Sequence, residues 1–436
     1  RIQNRSGTAG GGEDAHVTWF VIAFALLGLP MFAVFGALAM IAYRSGGMDF
    51  SIVIGELTRL TGMPMLQALP MFALAGYVLA GSRASERLLR ITRAAFGWMP
   101  GGLAMVSIVI CTFLTAFTGA SGVTIVALGG LLMPALLKDG YREKAALGLV
   151  TSGGNMGVLF VPSLPLILYA VIAQPVAGEV TIDALFRAGA LPGLVAVAVL
   201  CGYGVWAGLH AKIPRRPFSW RVLGAALKEA RWEIPLPFVV LGAIYGGFLA
   251  ASEAAVITAA YVLIVEVFIY REMPFRKLAG IIRDTVVLVG GVMLILGMGM
   301  AITNFLIDQE VPQLLLDWVG SRIRNPYLFL AALNLFLLGV GCIMDIYTAT
   351  VVIVPLLAPL AARYGIHPVH LAIIFLANLA IGYSTPPVGM NLFIAAMRLN
   401  KPLMKLAAAS LALMGLMLGV LILVTYWPAL SLVFVK

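Results

Sequence analysis

Residues 378–391 read N-L-A-I-G-Y-S-T-P-P-V-G-M-N and lie inside an uncharged run, 371–397, that is long enough to cross a bilayer. The middle of this run holds adjacent Ser384 and Thr385, two prolines and two glycines. Proline removes a backbone donor and clashes with the preceding helical turn. An opened backbone at membrane depth is tolerated only where it is buried in protein or lines a cavity. The stretch therefore predicts a broken helix whose free carbonyls and hydroxyls face a polar ligand.

A second stretch of the same kind occurs in the first half of the chain. Residues 151–166 read T-S-G-G-N-M-G-V-L-F-V-P-S-L-P-L. Two broken helices, one in each half, are typical of the substrate site of a secondary transporter near the middle of the membrane.

The composition places the whole chain in a membrane. The 436 residues are 61% hydrophobic and 11% charged, whereas a soluble domain carries about 25% charged residues. Several uncharged runs reach the roughly 20 residues that a spanning helix needs: 60–82, 94–137, 145–178, 188–209, 285–307, 371–397 and 406–435. These runs predict an all-α polytopic membrane protein in contact with the lipid bilayer.

The net charge of +10 does not indicate a nucleic-acid partner, because the basic residues are confined to short loops. That distribution is the one the positive-inside rule produces. The three cysteines lie far apart in apolar runs and predict neither a disulfide nor a metal site. No hydrolase motif or nucleotide-binding loop is present, so we expect no enzyme activity.

Loop charges orient the segments. The basic segments, 82–93, 138–144, 210–233 and 271–283, are assigned to the cytoplasm, and the acidic ones, 179–187 and 308–324, to the outside. Both ends of 94–137 are then cytoplasmic, although the run is short for two crossings. It predicts a re-entrant hairpin with its tip near 118–122, and 326–362 predicts a second hairpin that enters from outside, with its tip near 339–345.

Spacing indicates a duplication. Gly119, Pro134 and Pro162 recur as Gly341, Pro355 and Pro386, at offsets of 222, 221 and 224. Because one hairpin enters from each side, the repeat is inverted, which is typical of alternating-access transporters. We divide the chain into a disordered or linker lead (1–16), first-repeat scaffold helices (17–93), a first-repeat transport hairpin and broken helix (94–178), scaffold helices with a basic cytoplasmic loop (188–283), a second-repeat transport unit (285–397) and a C-terminal helix (406–436). Residues 17–43 form either one long helix or two that meet near Pro30.

Polar residues at the breaks predict the ligands. Asp345 is an acid inside a membrane segment, which is a functional hypothesis by default; it could help to hold Na⁺, carry a proton, or only cap the helix that follows. Neutral oxygens cluster at the breaks and suit a hard cation together with open carbonyls: Thr118, Ser121, Thr124, Thr151, Ser152, Asn155, Ser384 and Thr385. Half-helix N-termini suit an anion, so a cation and a carboxylate are the natural pair.

The remaining charged residues and histidines are interpreted as structural. The arginine-rich segment 83–93 predicts an amphipathic helix on the cytoplasmic lipid surface. Glu253 is expected to cap a helix, and Glu266 to sit near a membrane interface. His367 and His370 flank a proline in a loop and are weak evidence for a metal.

These features resemble the large membrane subunit of the tripartite ATP-independent periplasmic (TRAP) transporters, of the DctM and SiaM type, from about residue 17 onward. The motifs that carry the resemblance are F-A-L-A-G at 72–76, P-G-G at 100–102, T-G-A-S-G at 118–122, F-V-P-S-L-P-L-I-L-Y at 160–169, S-E-A-A at 252–255, M-D at 344–345, G-I-H-P-V-H at 365–370 and N-L-A-I-G-Y-S-T-P-P-V-G at 378–389. Thr124 stands where many relatives carry an acid, and Val161-Pro162 where many carry two prolines.

The resemblance implies an elevator-type importer in a bacterial inner membrane, driven by Na⁺, with no other cofactor. It implies a small four-helix membrane subunit and a periplasmic substrate-binding protein as partners. We expect Na⁺ ligands among Thr118, Gly119, Ser121, Thr124, Ser152, Gly341, Asp345, Thr348 and Thr385. We expect substrate contacts among Ser121, Asn155, Pro162, Ser163, Ser384, Thr385 and Pro386.

The substrate is expected to be an organic acid, first a C4-dicarboxylate and next a sialic acid. Two alternatives stay open at this point. One is a stand-alone anion carrier that needs no binding protein, and the other is a membrane scaffold without transport of its own.

Overall fold

The computed structural model describes residues 20–21, 29–47, 49, 51–178, 180–211, 217–386 and 388–435, and within them it contains helices and no strand. Seven of these helices are long and apolar enough to cross a membrane, and an eighth span results if one bent pair is counted as one. The prediction of an all-α polytopic membrane protein is confirmed.

The helices follow the predicted breaks closely. In the first half they are Met31–Ser45, Ser51–Thr61, Ala68–Gly81, Ala84–Phe96, Gly102–Thr118, Ser121–Lys138, Glu143–Ser152, Leu164–Ala177, Ile182–His210, Trp220–Glu229 and Pro235–Tyr245. In the second half they are Ala251–Leu263, Phe275–Asp308, Val311–Arg322, Pro326–Ile343, Ile346–Arg363, Pro368–Gly382, Met390–Leu399, Leu403–Tyr426 and Ala429–Leu432. Short 3₁₀ turns cover Pro64–Gln67 and Asn155–Leu159, and a π-helical stretch, Ile264–Ile269, continues the helix before it.

Two helical hairpins and two broken helices form the repeat. The first hairpin is Gly102–Thr118 with Ser121–Lys138, and the second is Pro326–Ile343 with Ile346–Arg363. The first broken helix is Glu143–Ser152 with Leu164–Ala177, whose two parts are bent by 42°. The second broken helix is Pro368–Gly382 with Met390–Leu399.

The helix boundaries correct the register of the repeat. The helices that begin at 102, 121 and 143 recur at 326, 346 and 368, a shift of 224 or 225 residues. The sequence pairing of Gly119 with Gly341 is therefore a few residues out. Gly119 lies at the tip with φ of 69°, whereas Gly341 is still inside its helix and the second tip is Met344-Asp345.

The two repeats interlock. The second arm of the first hairpin packs against the second half of the second broken helix, and the second arm of the second hairpin packs against the second half of the first broken helix. This exchange places both tips and both breaks in one region. A single buried apolar cluster runs through both repeats and holds the polar segments between them.

The remaining helices surround this interlocked unit. Ile182–His210 packs against the first hairpin, and Ala251–Leu263 and Phe275–Asp308 both pack against Ala68–Gly81. Met31–Ser45 begins directly after Pro30; the lead at 1–16 and residues 22–28 lie outside the described residues. The division into scaffold and transport segments stays a prediction.

The arginine-rich segment differs from the surface helix that we expected. The helix Ala84–Phe96 forms, but Arg87 is 4% exposed. It bonds Glu233, Glu272 (2.6 Å) and Glu266 (3.2 Å), and its guanidinium lies 3.9 Å from the centre of the Tyr270 ring. Burial opposes the charge on Arg87, but the carboxylates raise its pKa above the ordinary value, so it stays charged.

Glu266 is therefore buried in this arginine cluster, and its position near a membrane interface stays a prediction. Amphipathic spacing cannot distinguish a charge that faces water from one that faces buried carboxylates. Glu253 behaves as expected, because its carboxylate accepts a 2.9 Å hydrogen bond from the Ala250 amide at the start of its helix.

Candidate functional site

A continuous chain of hydrogen bonds joins the two breaks and the first hairpin. The Asn391 amide donates to the Ser121 hydroxyl (2.8 Å) and to the Asn155 side-chain oxygen (2.9 Å). The Asn155 amide donates to the Ser384 hydroxyl at 2.7 Å, and Ser152 bonds the same hydroxyl at 3.1 Å. We call these five side chains the central polar network; each is at most 3% exposed.

The network draws on four separate chain segments. Ser121 opens the second arm of the first hairpin, and Ser152 and Asn155 flank the first break. Ser384 follows the first half of the second broken helix, and Asn391 opens its second half. None of the five carries a formal charge, so the network supplies neutral donors and acceptors in a buried setting. Such a setting strengthens electrostatic contacts with an ion or polar solute.

Asn391 is the member that sequence reasoning missed. It stands at the end of the quoted stretch 378–391, but only Ser384, Thr385 and Pro386 of that stretch were selected as ligands. An asparagine inside an uncharged run is costly unless its amide is bonded. That cost was the available signal, and the partners at Ser121 and Asn155 became visible only in three dimensions.

N-terminal and C-terminal ends of helices meet around the network. Four helices end at the tips or breaks, at Thr118, Ser152, Ile343 and Gly382, and four begin there, at Ser121, Leu164, Ile346 and Met390. Contacts tie them together: a Cβ added to Gly119 would lie 2.7 Å from Leu164, and the Tyr347 hydroxyl donates to the Gly119 carbonyl at 3.3 Å. Helix N-termini favour anions and C-termini favour cations, so the region can hold both.

Asp345 caps the second arm of the second hairpin. One carboxylate oxygen accepts the amides of Tyr347 and Thr348, both at 3.0 Å. The Ile346 amide is bonded instead by the Tyr383 hydroxyl. Asp345 therefore caps this helix, which is one of the roles that the sequence left open. Both hydrogen bonds reach the same oxygen, so the cap uses only one of the two carboxylate oxygens.

Two threonine hydroxyls in this region are buried and have no hydrogen-bond partner among the described residues. They belong to Thr151, beside Ser152, and to Thr348, beside the Asp345 cap. Their side chains are 1% and 0% exposed. A buried hydroxyl without a partner is costly, and an oxygen of this kind suits a hard cation such as Na⁺.

Other expected cation ligands are occupied by local bonds. The Thr118 hydroxyl donates to the Leu114 carbonyl at 2.8 Å. Thr124 bonds Thr115 across the first hairpin at 2.8 Å. Gly341 packs against Gly382 so closely that a Cβ on Gly382 would lie 2.5 Å from the Gly341 carbonyl carbon. These residues shape the site in this structure.

Some of the expected substrate contacts at the breaks are likewise bonded within their own helices, and others join the central polar network. Ser163 caps the helix Leu164–Ala177 by accepting the Leu166 amide at 3.3 Å, and Pro162 beside it is buried. The Thr385 hydroxyl donates to the Ile381 carbonyl at 3.0 Å, while Pro386 is exposed. The network residues Ser121, Asn155 and Ser384 come together as expected, whereas Ser163 and Thr385 are held by their own helices.

Comparison with known proteins gives a family. A family model described as the DctM component of the tripartite ATP-independent periplasmic transporters matches residues 18–430. The C4-dicarboxylate TRAP transporter large permease protein DctM of Vibrio cholerae is 31% identical over 435 residues, which are 94% of this chain and 95% of that protein. The isethionate TRAP transporter permease protein DctMQ of Oleidesulfovibrio alaskensis is 33% identical over 94% of this chain, which spans 64% of that longer protein.

A third relative and a solved structure extend the comparison. The sialic acid TRAP transporter large permease protein SiaM of Vibrio cholerae is 29% identical over 95% of this chain and 96% of its own. The crystal structure of the Alcanivorax borkumensis YdaH transporter is similar with a TM-score of 0.64 over 96% of this chain and 99% of that one. At 14% identity, this likeness concerns the fold alone.

Proposed function

Because the chain belongs to the DctM component family of TRAP transporters, we propose that it carries an organic anion across the bacterial inner membrane together with Na⁺. The large permeases of this family work with a small permease subunit and a periplasmic binding protein. We infer the same tripartite assembly here, with the binding protein delivering the substrate to the outer side of the central polar network.

The observation that carries the proposal is the meeting of helix ends around a buried, uncharged network. Four N-termini offer amide donors to an anion, and four C-termini offer carbonyl oxygens to a cation. The hydroxyls of Thr151 and Thr348, which have no partner in the described ranges, add two buried oxygens. Because the five network side chains carry no charge, an anion that binds there is best neutralised by cations that bind with it.

We place the Na⁺ ions at the two hairpin tips and the adjacent breaks. Thr348 and the free carboxylate oxygen of Asp345 would serve one site, and Thr151 the other, each completed by carbonyls at the helix ends. Transport would follow an elevator motion in which the interlocked hairpins and broken helices move as a unit. The entry of the two hairpins from opposite sides, which the loop charges predict, supports this motion.

The substrates for which related permeases are named suggest the substrate class of this chain. Large permeases named for C4-dicarboxylates share 30 to 32% identity with this chain, and those named for sialic acid and ectoine share 28 or 29%. The DctMQ permease named for isethionate shares 33%. These substrates are small and polar, and most are carboxylates, so a C4-dicarboxylate is our first candidate and a sialic acid the second.

Uptake into proteoliposomes tests the proposal. The vesicles contain the permease with its small subunit, and labelled C4-dicarboxylate, sialic acid, isethionate and ectoine are offered with and without an inward Na⁺ gradient and the binding protein. We expect accumulation of one substrate only when both the gradient and the binding protein are present. Equal uptake without the binding protein would indicate a stand-alone carrier. Uptake that follows a pH gradient and ignores Na⁺ would refute Na⁺ coupling.

A further inference from the structure

A large cavity lies on the outside of the interlocked unit, away from the central polar network. Its volume is about 670 Å³. It is formed by the segment 141–145, by the end of Ile182–His210 and by the middle of Leu403–Tyr426. The segment 138–144 belongs to the group of basic loops that the positive-inside rule assigns to the cytoplasm. The cavity therefore opens at the cytoplasmic border of the membrane.

The polar end of the cavity carries unneutralised positive charge. Arg142 and Lys144 line it, both are exposed, and neither forms an ion pair with another residue in the described part of the chain. The acid between them, Glu143, is bonded instead by Lys401 (2.8 Å) and Lys405 (2.7 Å). Two cations thus face the cavity, and within the described ranges no carboxylate pairs with either of them.

One wall of the cavity is aromatic. The Trp206 ring packs at a tilt against Tyr203 and His210, with ring centres 5.7 and 4.4 Å away, and all three line the cavity. Trp206 is 53% exposed, although it is the largest side chain of this group. Tryptophan and tyrosine prefer the headgroup level of a bilayer, so we expect this wall to lie at that level.

The other end of the cavity is apolar and extends into the membrane. Ala409, Ala412 and Leu416 line it along one helix, over roughly 10 Å at the usual helical rise. Alanine side chains leave the space open. A water-soluble metabolite would make no favourable contact with this apolar surface, whereas the part of an acyl chain nearest the headgroup fits beside it.

We propose that this cavity is a binding site for an anionic glycerophospholipid of the inner leaflet. The phosphate lies between Arg142 and Lys144, the headgroup rests on Trp206, and an acyl chain follows Ala409 to Leu416. Basic pockets between membrane helices on the cytoplasmic side recognise lipid headgroups in this way. The occupant is separate from the transported substrate, and the site does not depend on the proposed transport function.

Quenching of tryptophan fluorescence tests the site directly. Purified permease in detergent is titrated with brominated phosphatidylglycerol or brominated phosphatidylcholine, and the Trp206→Phe variant identifies the part of the signal that comes from Trp206. We expect that part to be quenched by phosphatidylglycerol at a half-saturating concentration about tenfold lower than for phosphatidylcholine. Equal half-saturation by the two lipids would overturn the proposal.

Paired variants separate charge from shape. Arg142→Gln with Lys144→Gln should remove the preference for phosphatidylglycerol, while the control Arg221→Gln with Arg276→Gln, which removes two exposed charges elsewhere, should keep it. Ala412→Phe should weaken quenching by both lipids, and Ala408→Phe, exposed one turn away and outside the cavity lining, should not. A preference that survives removal of both cations would contradict the assignment.

Two further arms identify competing occupants. Inorganic phosphate that displaces the lipid at equal concentration would indicate a site for a free anion instead. Loss of Trp206 quenching on addition of the small membrane subunit would indicate that a protein covers the cavity. Quenching that persists in both arms supports the lipid. Thermal unfolding of each variant checks that it is folded, so that loss of binding is not confused with loss of structure.

Discussion

The Tyr347 hydroxyl of the second hairpin donates a 3.3 Å hydrogen bond to the carbonyl of Gly119 at the tip of the first. The two tips, which belong to repeats of opposite orientation, are thus in direct contact. Both flank the central polar network, so their contact closes the region where the helix ends meet.

Removing this hydroxyl should loosen the second hairpin. In a Cys111→Ala, Cys201→Ala background, Cys342 is the remaining thiol and is 5% exposed. We expect Tyr347→Phe to raise its rate of maleimide labelling about fivefold, because one hydrogen bond contributes about 1 kcal/mol. The control Tyr245→Phe removes a similar bond, to the Phe186 carbonyl (3.0 Å), far from the tips. Equal labelling of the two variants would show that the tips are not held by this bond.

Asn391 should be essential for transport and less so for folding. Asn391→Ala leaves Asn155 and Ser121 without their shared partner, so we expect uptake per folded molecule to fall at least tenfold. Asn334→Ala is the matched control, since it removes a buried amide that bonds Thr425 at 3.1 Å outside the network. It should lower stability and keep transport. If both variants lose uptake equally, the network has no special role.

A double-mutant cycle refines this result. Asn155→Ala combined with Asn391→Ala should cost less than the sum of the single effects on uptake, because the two amides bond each other at 2.9 Å and groups in contact are not additive. Strict additivity would mean that they act independently.

Thr348 and its neighbour Thr350 offer a test of the cation site. Thr348→Val removes a buried hydroxyl for which the described part of the chain supplies no hydrogen-bond partner, so the free energy of unfolding should not fall. The Na⁺ concentration for half-maximal uptake should rise several-fold. Thr350→Val removes a hydroxyl bonded to the Ile346 carbonyl at 2.6 Å. It should destabilise the protein by about 1 kcal/mol and leave the Na⁺ dependence unchanged. The opposite pattern would rule out Thr348 as a ligand.

Arg87 should be one of the most sensitive positions for stability. Arg87→Met leaves three buried or half-buried carboxylates without their cation, so we expect a loss of about 3–5 kcal/mol. Arg90→Met breaks an exposed pair with Glu229 and should cost about 0–1 kcal/mol. Thermal unfolding in detergent compares them, and similar melting temperatures would refute the role of the arginine cluster.

Helix breaks could be predicted from the sequence because glycine and proline act locally. The stretches around Gly119, Gly153 and Pro386 predicted where helices stop, and the structure has tips or breaks at each. The inverted repeat followed from loop charges and spacing. The predicted pairing of positions between the two repeats was wrong by a few residues. A single glycine such as Gly341 occurs at a close contact between helices as readily as in a turn.

The central polar network and the arginine cluster could not be predicted in detail. Ser121 and Asn391 are 270 residues apart, and nothing local indicates that they meet. Arg87 has the spacing of an amphipathic surface helix, and its carboxylate partners come from three later segments. Pairings of this kind depend on how helices pack, which composition and periodicity do not specify.

The interlocking of the repeats has a consequence for biosynthesis. Ser121 enters the membrane well before Asn391 has been made, and at common rates of translation the interval is roughly 15 to 50 seconds. During that time the first hairpin and the first broken helix lack the partners that later bury their polar groups. The first half of the chain is therefore inserted before its partners exist, and its polar groups must meanwhile be shielded from lipid by a different arrangement of the helices or by insertion factors. The site can form only after the final third of the chain has been inserted.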